Sequence, residues 1–258
     1  MDTKIISGNL KSEIIGRKII YKEETDSTNN DAKRCMDYPD GSTFIAERQT
    51  SGKGRRGRIW EAEKGSEILM TVLLKPPLPP EKISAVTAIV GIAVCRAVRK
   101  SGINAEIKWP NDIICRGKKL CGILCEMSVT GNVLNYVATG IGINANTESF
   151  LGELSDKATS LRIEKGEPVN REKLTAEVLS EFDNCYAKFL KNGFSAFKEE
   201  YEKLCATIGK EVKVVGKETY CANAVGINED GELLIEFEGK ISALNSGEVS
   251  VRGIYGYV

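Results

Sequence analysis

The chain has 258 residues, 36 of them basic and 36 acidic, and 41% are hydrophobic. Such a length holds one large domain, or one domain with a small companion, and such a composition excludes a disordered chain. A net charge of zero weighs against a general nucleic-acid binder with a broad basic surface, and no apolar run is long enough to span a bilayer.

In chain order, residues 18–24 read as a first strand leading into Asp26-Ser27-Thr28-Asn29. Ser27 or Thr28 caps a short helix over 30–36, with Asp31 three residues after Thr28 in the manner of a capping box. Residues 43–49 alternate like a strand, and a glycine-rich basic loop follows. The next strand, 67–74, is stopped by Pro76 and Pro77. A helix is predicted over 81–100, between Pro80 and Gly102. Then come a strand over 105–109 ended by Pro110, a hairpin of 112–115 with 119–129 around Arg116-Gly117, and a strand over 135–143 across a turn at Thr130-Gly131-Asn132. Residues 170–190 and 194–204 have helical periodicity and are separated by Asn192-Gly193. After Gly209 only short strands are predicted, over 212–215, 220–227, 233–237 and 249–251, with a hairpin turn at 228–231. The pattern is that of an α+β domain over 1–208 followed by a small β-barrel over 209–258.

Eight cysteines are present and none forms a CxxC pair; Cys121 and Cys125 are too isolated for a zinc site. They read as reduced, structural residues. The chain has no histidine, which removes Ser-His-Asp and Cys-His catalysis and every histidine-containing metal site. Residues 1–16 lack a basic start and an apolar core, so no signal peptide is expected and the location is read as cytoplasmic.

Residues 49–60, QTSGKGRRGRIW, concentrate positive charge in a neutral chain: Lys53, Arg55, Arg56 and Arg58 alternate with Gly52, Gly54 and Gly57. GKGRRG matches G-x-G-x-x-G in form, but a dinucleotide loop must open a helix, and RIWEAEKGSE is a poor helix start. Two readings stay open: a solvated basic turn, or a loop whose amides and guanidinium forks receive a polyphosphate. In Lys108-Trp109-Pro110-Asn111-Asp112, Asp112 can hold a Mg²⁺ that travels with ATP and Lys108 can neutralise phosphate; a solvated turn is the alternative. Along 118–126, KKLCGILCE, alternation puts Leu120, Gly122, Leu124 and Glu126 on one face and Lys119, Cys121, Ile123 and Cys125 on the other. Gly122 leaves room for a ligand lying flat on the sheet, and Lys119 can project into a cleft or stay exposed. In 139–144, TGIGIN, glycines inside an apolar strand imply close backbone approach, and Asn144 at the strand end bonds a ligand or caps a turn.

The ordered set DSTN (26–29), QTSGKGRRGRIW (49–60), KWPND (108–112), KKLCGILCE (118–126) and TGIGIN (139–144) resembles the biotin protein ligase family. SGEVSVRG (246–253) resembles that family's C-terminal signature. The resemblance implies a mixed-sheet catalytic domain of the biotin/lipoate ligase type with a small C-terminal SH3-like β-barrel. It implies activation of biotin by ATP to biotinyl-5′-AMP, then transfer to one lysine of a biotin carboxyl carrier protein domain. By matching motifs, biotin is expected at Ser27, Thr28, Asn29, Gln49, Gly52, Lys53, Lys119, Gly122 and Gly140. ATP is expected at Arg55, Arg56, Arg58, Trp60, Lys108, Asn111 and Asn144, with Mg²⁺ near Asp112. Lys119, Arg55 and Arg58 are the expected catalytic residues, and a homodimer is the expected assembly.

The chain departs from the family's loops at Lys53, where they carry arginine; lysine keeps the charge but loses the bidentate fork. Only 25 residues precede Asp26, against roughly 60 for a small winged-helix domain, so a ligase that binds no DNA is expected. The nearest rival is a lipoate ligase or octanoyltransferase, disfavoured by the basic loop together with KWPND. A nucleic-acid-binding module using the loop as a basic turn is disfavoured by the balanced charge and by the few aromatics near it.

Overall fold

A computed structural model describes residues 1–216, 218–247 and 249–253. Residues 217 and 254–258 of the expected barrel, and Glu248 of the C-terminal signature, lie outside the described residues. Helix α1 (Thr3–Asn9) precedes β1 (Ile19–Thr25), α2 (Thr28–Arg34), β2 (Ser42–Gln49), β3 (Ile68–Leu74) and α3 (Ile83–Lys100). Then follow β4 (Glu106–Lys108), β5 (Asp112–Cys115), β6 (Lys118–Thr130), β7 (Val133–Ile143), α4 (Leu161–Lys165), α5 (Arg171–Asn192) and α6 (Lys198–Leu204). The chain closes with β8 (Glu211–Val215), β9 (Thr219–Ile227), β10 (Leu233–Phe237), β11 (Lys240–Leu244) and β12 (Ser250–Gly253).

The first seven strands form one mixed sheet in the order β1-β2-β3-β7-β6-β5-β4, with β1 and β2 parallel and all other neighbours antiparallel. Ile45, Met70, Val72 and Val137 enter the main core with α3 and α5, while Phe44, Leu73 and Ala138, one residue out of phase, pack with Ala32 of α2 on the opposite face. Both faces of the central strands are therefore covered. That is why β3 is buried along its whole length, and why β2 lacks the alternation expected over 43–49.

Two short helices escaped the sequence reading. Helix α1 is capped by Asp2, whose carboxylate accepts from Lys4 N at 2.8 Å. The following segment is tied to α5 by Asp183, which accepts from the amides of Glu13, Ile14 and Ile15 at 2.8–3.0 Å. Helix α4 is capped by Ser160 and ended by left-handed Gly166. Helix α5 ends at Gly193 as Asn192-Gly193 predicts. The capping box at α2 does not form. Ser27 holds the N-cap position without a side-chain cap bond, the Thr28 hydroxyl turns to Gln49, and Asp31 pairs with Lys22 at 2.6 Å.

The decisive local feature is a β-bulge in the β5–β6 hairpin. Ile113 pairs with Cys121 but Ile114 pairs with Lys119, so Leu120 is an extra residue and both Leu120 and Cys121 are fully buried. The slip corrects the alternation reading. Lys119 stands on the Gly122 side of the strand, not opposite it: a Cβ on Gly122 would lie 3.2 Å from Lys119 Nζ.

Strands β8–β12 form an antiparallel sheet in the order β11-β10-β9-β8-β12, the small SH3-like unit. Strand β11 was not predicted, because an exposed edge strand has no buried face to write an alternating pattern. The unit is joined to α3 and the KWPND turn through its hairpin turn: Gly231 O accepts from Trp109 Nε1 at 3.3 Å, and Asp230 pairs with Lys82. Gly231 adopts φ +77°, and a Cβ there would lie 3.1 Å from Ala85 Cα. Gly231→Ala should therefore lose on the order of 2 kcal/mol of stability by urea titration, from left-handed strain plus contact with the α3 backbone. Amide exchange in β9 and β10 should accelerate more than in β3.

Candidate active site

One wall of the site is built by the start of α2 and the end of β2. Gln49 Oε1 accepts from Thr28 N at 2.8 Å and from Thr28 Oγ1 at 3.0 Å, and Ser27 is buried beside them. Thr71, a polar residue in the otherwise apolar strand ILMTVLL, lies 2.8 Å from Thr28 Oγ1 and donates to Asn29 Oδ1 at 2.6 Å. Asn29 Nδ2 in turn donates to Glu126 Oε2 at 2.8 Å, and Glu126 pairs with Lys33 at 2.6 Å. Burial opposes ionisation of Glu126, but the Lys33 ammonium and the Asn29 amide outweigh it and hold its pKa below the usual range. Gly140 belongs to the same network, since a Cβ there would sit 2.4 Å from Asn29 Oδ1. Thr71 and Glu126 were not predicted as site residues; Thr71 is marked by being the lone polar position in the apolar strand β3, whereas Glu126 lies in a strand with several other polar residues and carries no such signal.

The opposite wall is the basic loop, which folds on itself. Lys53 bridges Ile59 in antiparallel fashion, Gly54 N donates to Arg58 O at 2.8 Å, and Trp60 N donates to Gly52 O at 3.0 Å. Gly52 serves this closure, because a Cβ would stand 2.4 Å from Trp60 O. Lys53 Nζ donates to Asn30 Oδ1 at 2.8 Å, so its ammonium anchors the loop to α2. Arg55 crosses the site, donating to Asn111 Oδ1 at 3.1 Å and to the carbonyls of Ser246 and Val249 in the C-terminal unit. Burial draws the Arg55 pKa down and the Asp112 charge opposes that shift; the guanidinium stays charged.

The two walls meet over a floor of glycine. The Trp60 indole lies flat on β6 and β7: a Cβ on Gly122 would approach it to 2.7 Å and one on Gly142 to 2.8 Å. Lys119 Nζ stands 5.3 Å from the indole centroid and 2.7 Å from Asp112 Oδ1, an ion pair without good hydrogen-bond direction. Its backbone is clamped. Lys119 N donates to Lys157 O at 2.8 Å, and its carbonyl accepts from Thr159 N at 2.9 Å and Asn144 Nδ2 at 3.3 Å. On the far side of the indole, Trp60 Nε1 donates to Glu67 Oε2 at 2.9 Å. Burial pushes the Glu67 carboxyl up to about 8, against the hydrogen bond from Trp60.

Ser27, Thr28, Asn29, Gln49, Lys53, Arg55, Trp60, Asn111, Lys119, Gly122 and Gly140 thus share one cleft. Gly52, Arg56 and Arg58 line a second hollow under the loop with Leu124 and Glu126, and Arg58 is exposed. Lys108 is buried opposite Asp112, outside the cleft lining. Asn144 is buried with its amide given to Lys119 O and Thr159 O, so it supports Lys119 from behind. For Mg²⁺, Asp112 is a single carboxylate paired with Lys119, and no cluster of three acidic or cysteine ligands exists among the described residues. The side chains present do not build a resident magnesium site.

Residues 20–144 match the model of the Biotin/lipoate A/B protein ligase family, and residues 207–252 match the Biotin protein ligase C terminal domain. The chain is 34% identical over 248 residues to the bifunctional ligase/repressor BirA of Bacillus spizizenii, covering 94% of this chain and 76% of that protein. It is 28% identical to the biotin--[acetyl-CoA-carboxylase] ligase of Mycobacterium tuberculosis, covering 93% of each. The biotin protein ligase of Aquifex aeolicus, solved in complex with biotin and ATP, superposes with a TM-score of 0.82 at 30% identity over 92% of this chain and 99% of that one. The expected motifs meet in one cleft, both family models match in order, and the likeness runs nearly end to end: the chain belongs to the biotin protein ligase family.

Proposed function

We propose that the chain is an ATP-dependent biotin–[acetyl-CoA-carboxylase] ligase, which forms biotinyl-5′-AMP and passes biotin to a lysine of a biotin carboxyl carrier protein. The observation that carries the reading is the position of Lys119. The bulge sets this ammonium on the glycine floor where the polar wall of α2 meets the basic loop. Ser27, Thr28, Asn29 and Gln49 supply hydroxyls and amides suited to a ureido ring, which offers both donors and an acceptor. Arg55, Trp60 and Asn111 face the nucleotide on the other side.

The chemistry follows from charge. A biotin carboxylate oxygen attacks the α-phosphorus of ATP; the bond from that phosphorus to the bridging oxygen breaks, and pyrophosphate leaves with the electron pair. Two anions must approach each other, so the barrier falls where fixed cations neutralise both. Lys119 leaves Asp112 for the carboxylate and the forming acyl phosphate, while Arg55 stays charged and held by Asn111. In the second step the neutral amine of the carrier lysine attacks the acyl carbon, AMP departs with the electron pair of the acyl–oxygen bond, and the amine loses a proton. No covalent enzyme intermediate is required. Mg²⁺ arrives with the phosphates. The loop excludes water from a hydrolysable anhydride.

We assign residues 1–208 to the catalytic unit and 209–258 to the C-terminal unit. We also propose a cytoplasmic homodimer joined through an edge of the large sheet, whose strand order ends in β1 and β4. No helix among the described residues is long and apolar enough to cross a membrane.

Biotin, and not lipoate, should drive ATP–pyrophosphate exchange; exchange with lipoate alone would overturn the assignment. Lys119→Ala should slow biotin-dependent exchange by on the order of a hundredfold, the scale for losing a preorganised charge at a reacting centre. The variant should still fold, since the Lys119 backbone is held by Lys157 and Thr159, with a lowered melting temperature from loss of the ion pair to Asp112. Near-normal exchange in that variant would remove Lys119 from the catalytic role.

A further inference from the structure

Glu67 takes part in no step above and belongs to none of the sequence motifs. It precedes β3, is 4% exposed, and its carboxyl accepts the Trp60 indole N–H at 2.9 Å. Trp60 is the root of the basic loop, because its amide closes the loop on Gly52 O. Its ring covers Gly122 and Gly142 and lies beneath Lys119. A buried indole N–H without an acceptor is costly, so the ring is held flat only while Glu67 receives it.

We propose that Glu67 is the positioning residue for Trp60: it fixes the indole on the Gly122–Gly142 floor and so sets the root of the basic loop for nucleotide binding. This rests on the ligase reading, in which Trp60 faces the nucleotide. Arg171 donates to the Glu67 backbone carbonyl at 2.9 Å, but its guanidinium is paired with Glu47 at 2.9 Å and does not neutralise the Glu67 carboxyl. The other groups facing Glu67 are Glu63, the Thr147 hydroxyl, the buried Cys121 thiol and, beyond the indole, Lys119. None supplies a cation at the carboxyl, so burial keeps Glu67 neutral at neutral pH.

With a folded-state pKa raised from 4.5 to about 8, the neutral carboxyl favours folding at low pH. That contribution is full below the unfolded value and is lost as pH rises through the folded one. Wild type should therefore lose stability relative to Glu67→Gln between pH 4.5 and about 8.

The test uses the full chain labelled with 5-fluorotryptophan, with Trp60→Phe identifying the Trp60 fluorine resonance. In wild type that resonance should titrate with a midpoint near 8. In Glu67→Gln, whose amide oxygen still accepts the indole, it should keep its neutral-pH position throughout. Glu67→Leu should shift or broaden the resonance and raise the KM for ATP in biotin-dependent exchange by about tenfold, the scale of one buried hydrogen bond, with kcat little changed. Glu67→Gln should restore that KM. A Trp60 resonance that ignores both pH and Glu67→Leu would overturn the role, as would a Glu67→Gln enzyme as impaired as Glu67→Leu. If wild type shows no exchange with biotin, the ligase reading fails instead, and the fluorine titration still reports whether Glu67 holds Trp60.

Discussion

One inserted residue organises this site. Leu120 adds a step to β6, and the cost is a disturbed ladder between β5 and β6. The return is the direction of Lys119. A regular hairpin would send that side chain into the helical layer, among the apolar neighbours of Cys121, where an ammonium has no counter-charge worth its desolvation. The bulge exchanges places: Leu120 and Cys121 both go inward and Lys119 comes onto the floor. The rest of the site is arranged around that point. Asp112 balances the charge, the 157–159 segment and Asn144 hold the backbone, and the glycines make room for the indole beneath it.

The glycines of the two central strands are better understood through what occupies their missing side chains. Gly140 makes room for the Asn29 amide, and Gly122 and Gly142 for the Trp60 ring. Each is a place where a side chain from another element comes to within contact of a strand backbone. The sheet is thin where the cleft is, and the polar wall of α2, the loop root and the lysine all converge on the thin strip.

Much of this was legible in the sequence. The β6–β7 hairpin, the long helix α3 and the end of α5 follow from period, Pro and Gly placement, and the order of the polar motifs announced the site. What could not be read was set by tertiary contacts. A bulge leaves no mark in composition, so period-two counting put Lys119 on the wrong face. Asn144 at a strand end reads as bonding a ligand or capping a turn; that its Nδ2 is given to two carbonyls, one of them that of Lys119, is visible only in the fold. Glu67 looked like the first residue of a strand; only the fold shows that it is sealed from water and beside an indole. Strand β11 has no buried face, so it carried no pattern to find.

Arg55 binds at once to Asn111 near the floor and to two main-chain carbonyls of the C-terminal unit. Main-chain carbonyls carry no side-chain identity, so this contact senses where the C-terminal backbone lies and not which residues it bears. The small β unit is thereby a structural part of the cleft, and a shift of its backbone relative to the large sheet would be felt directly at Arg55.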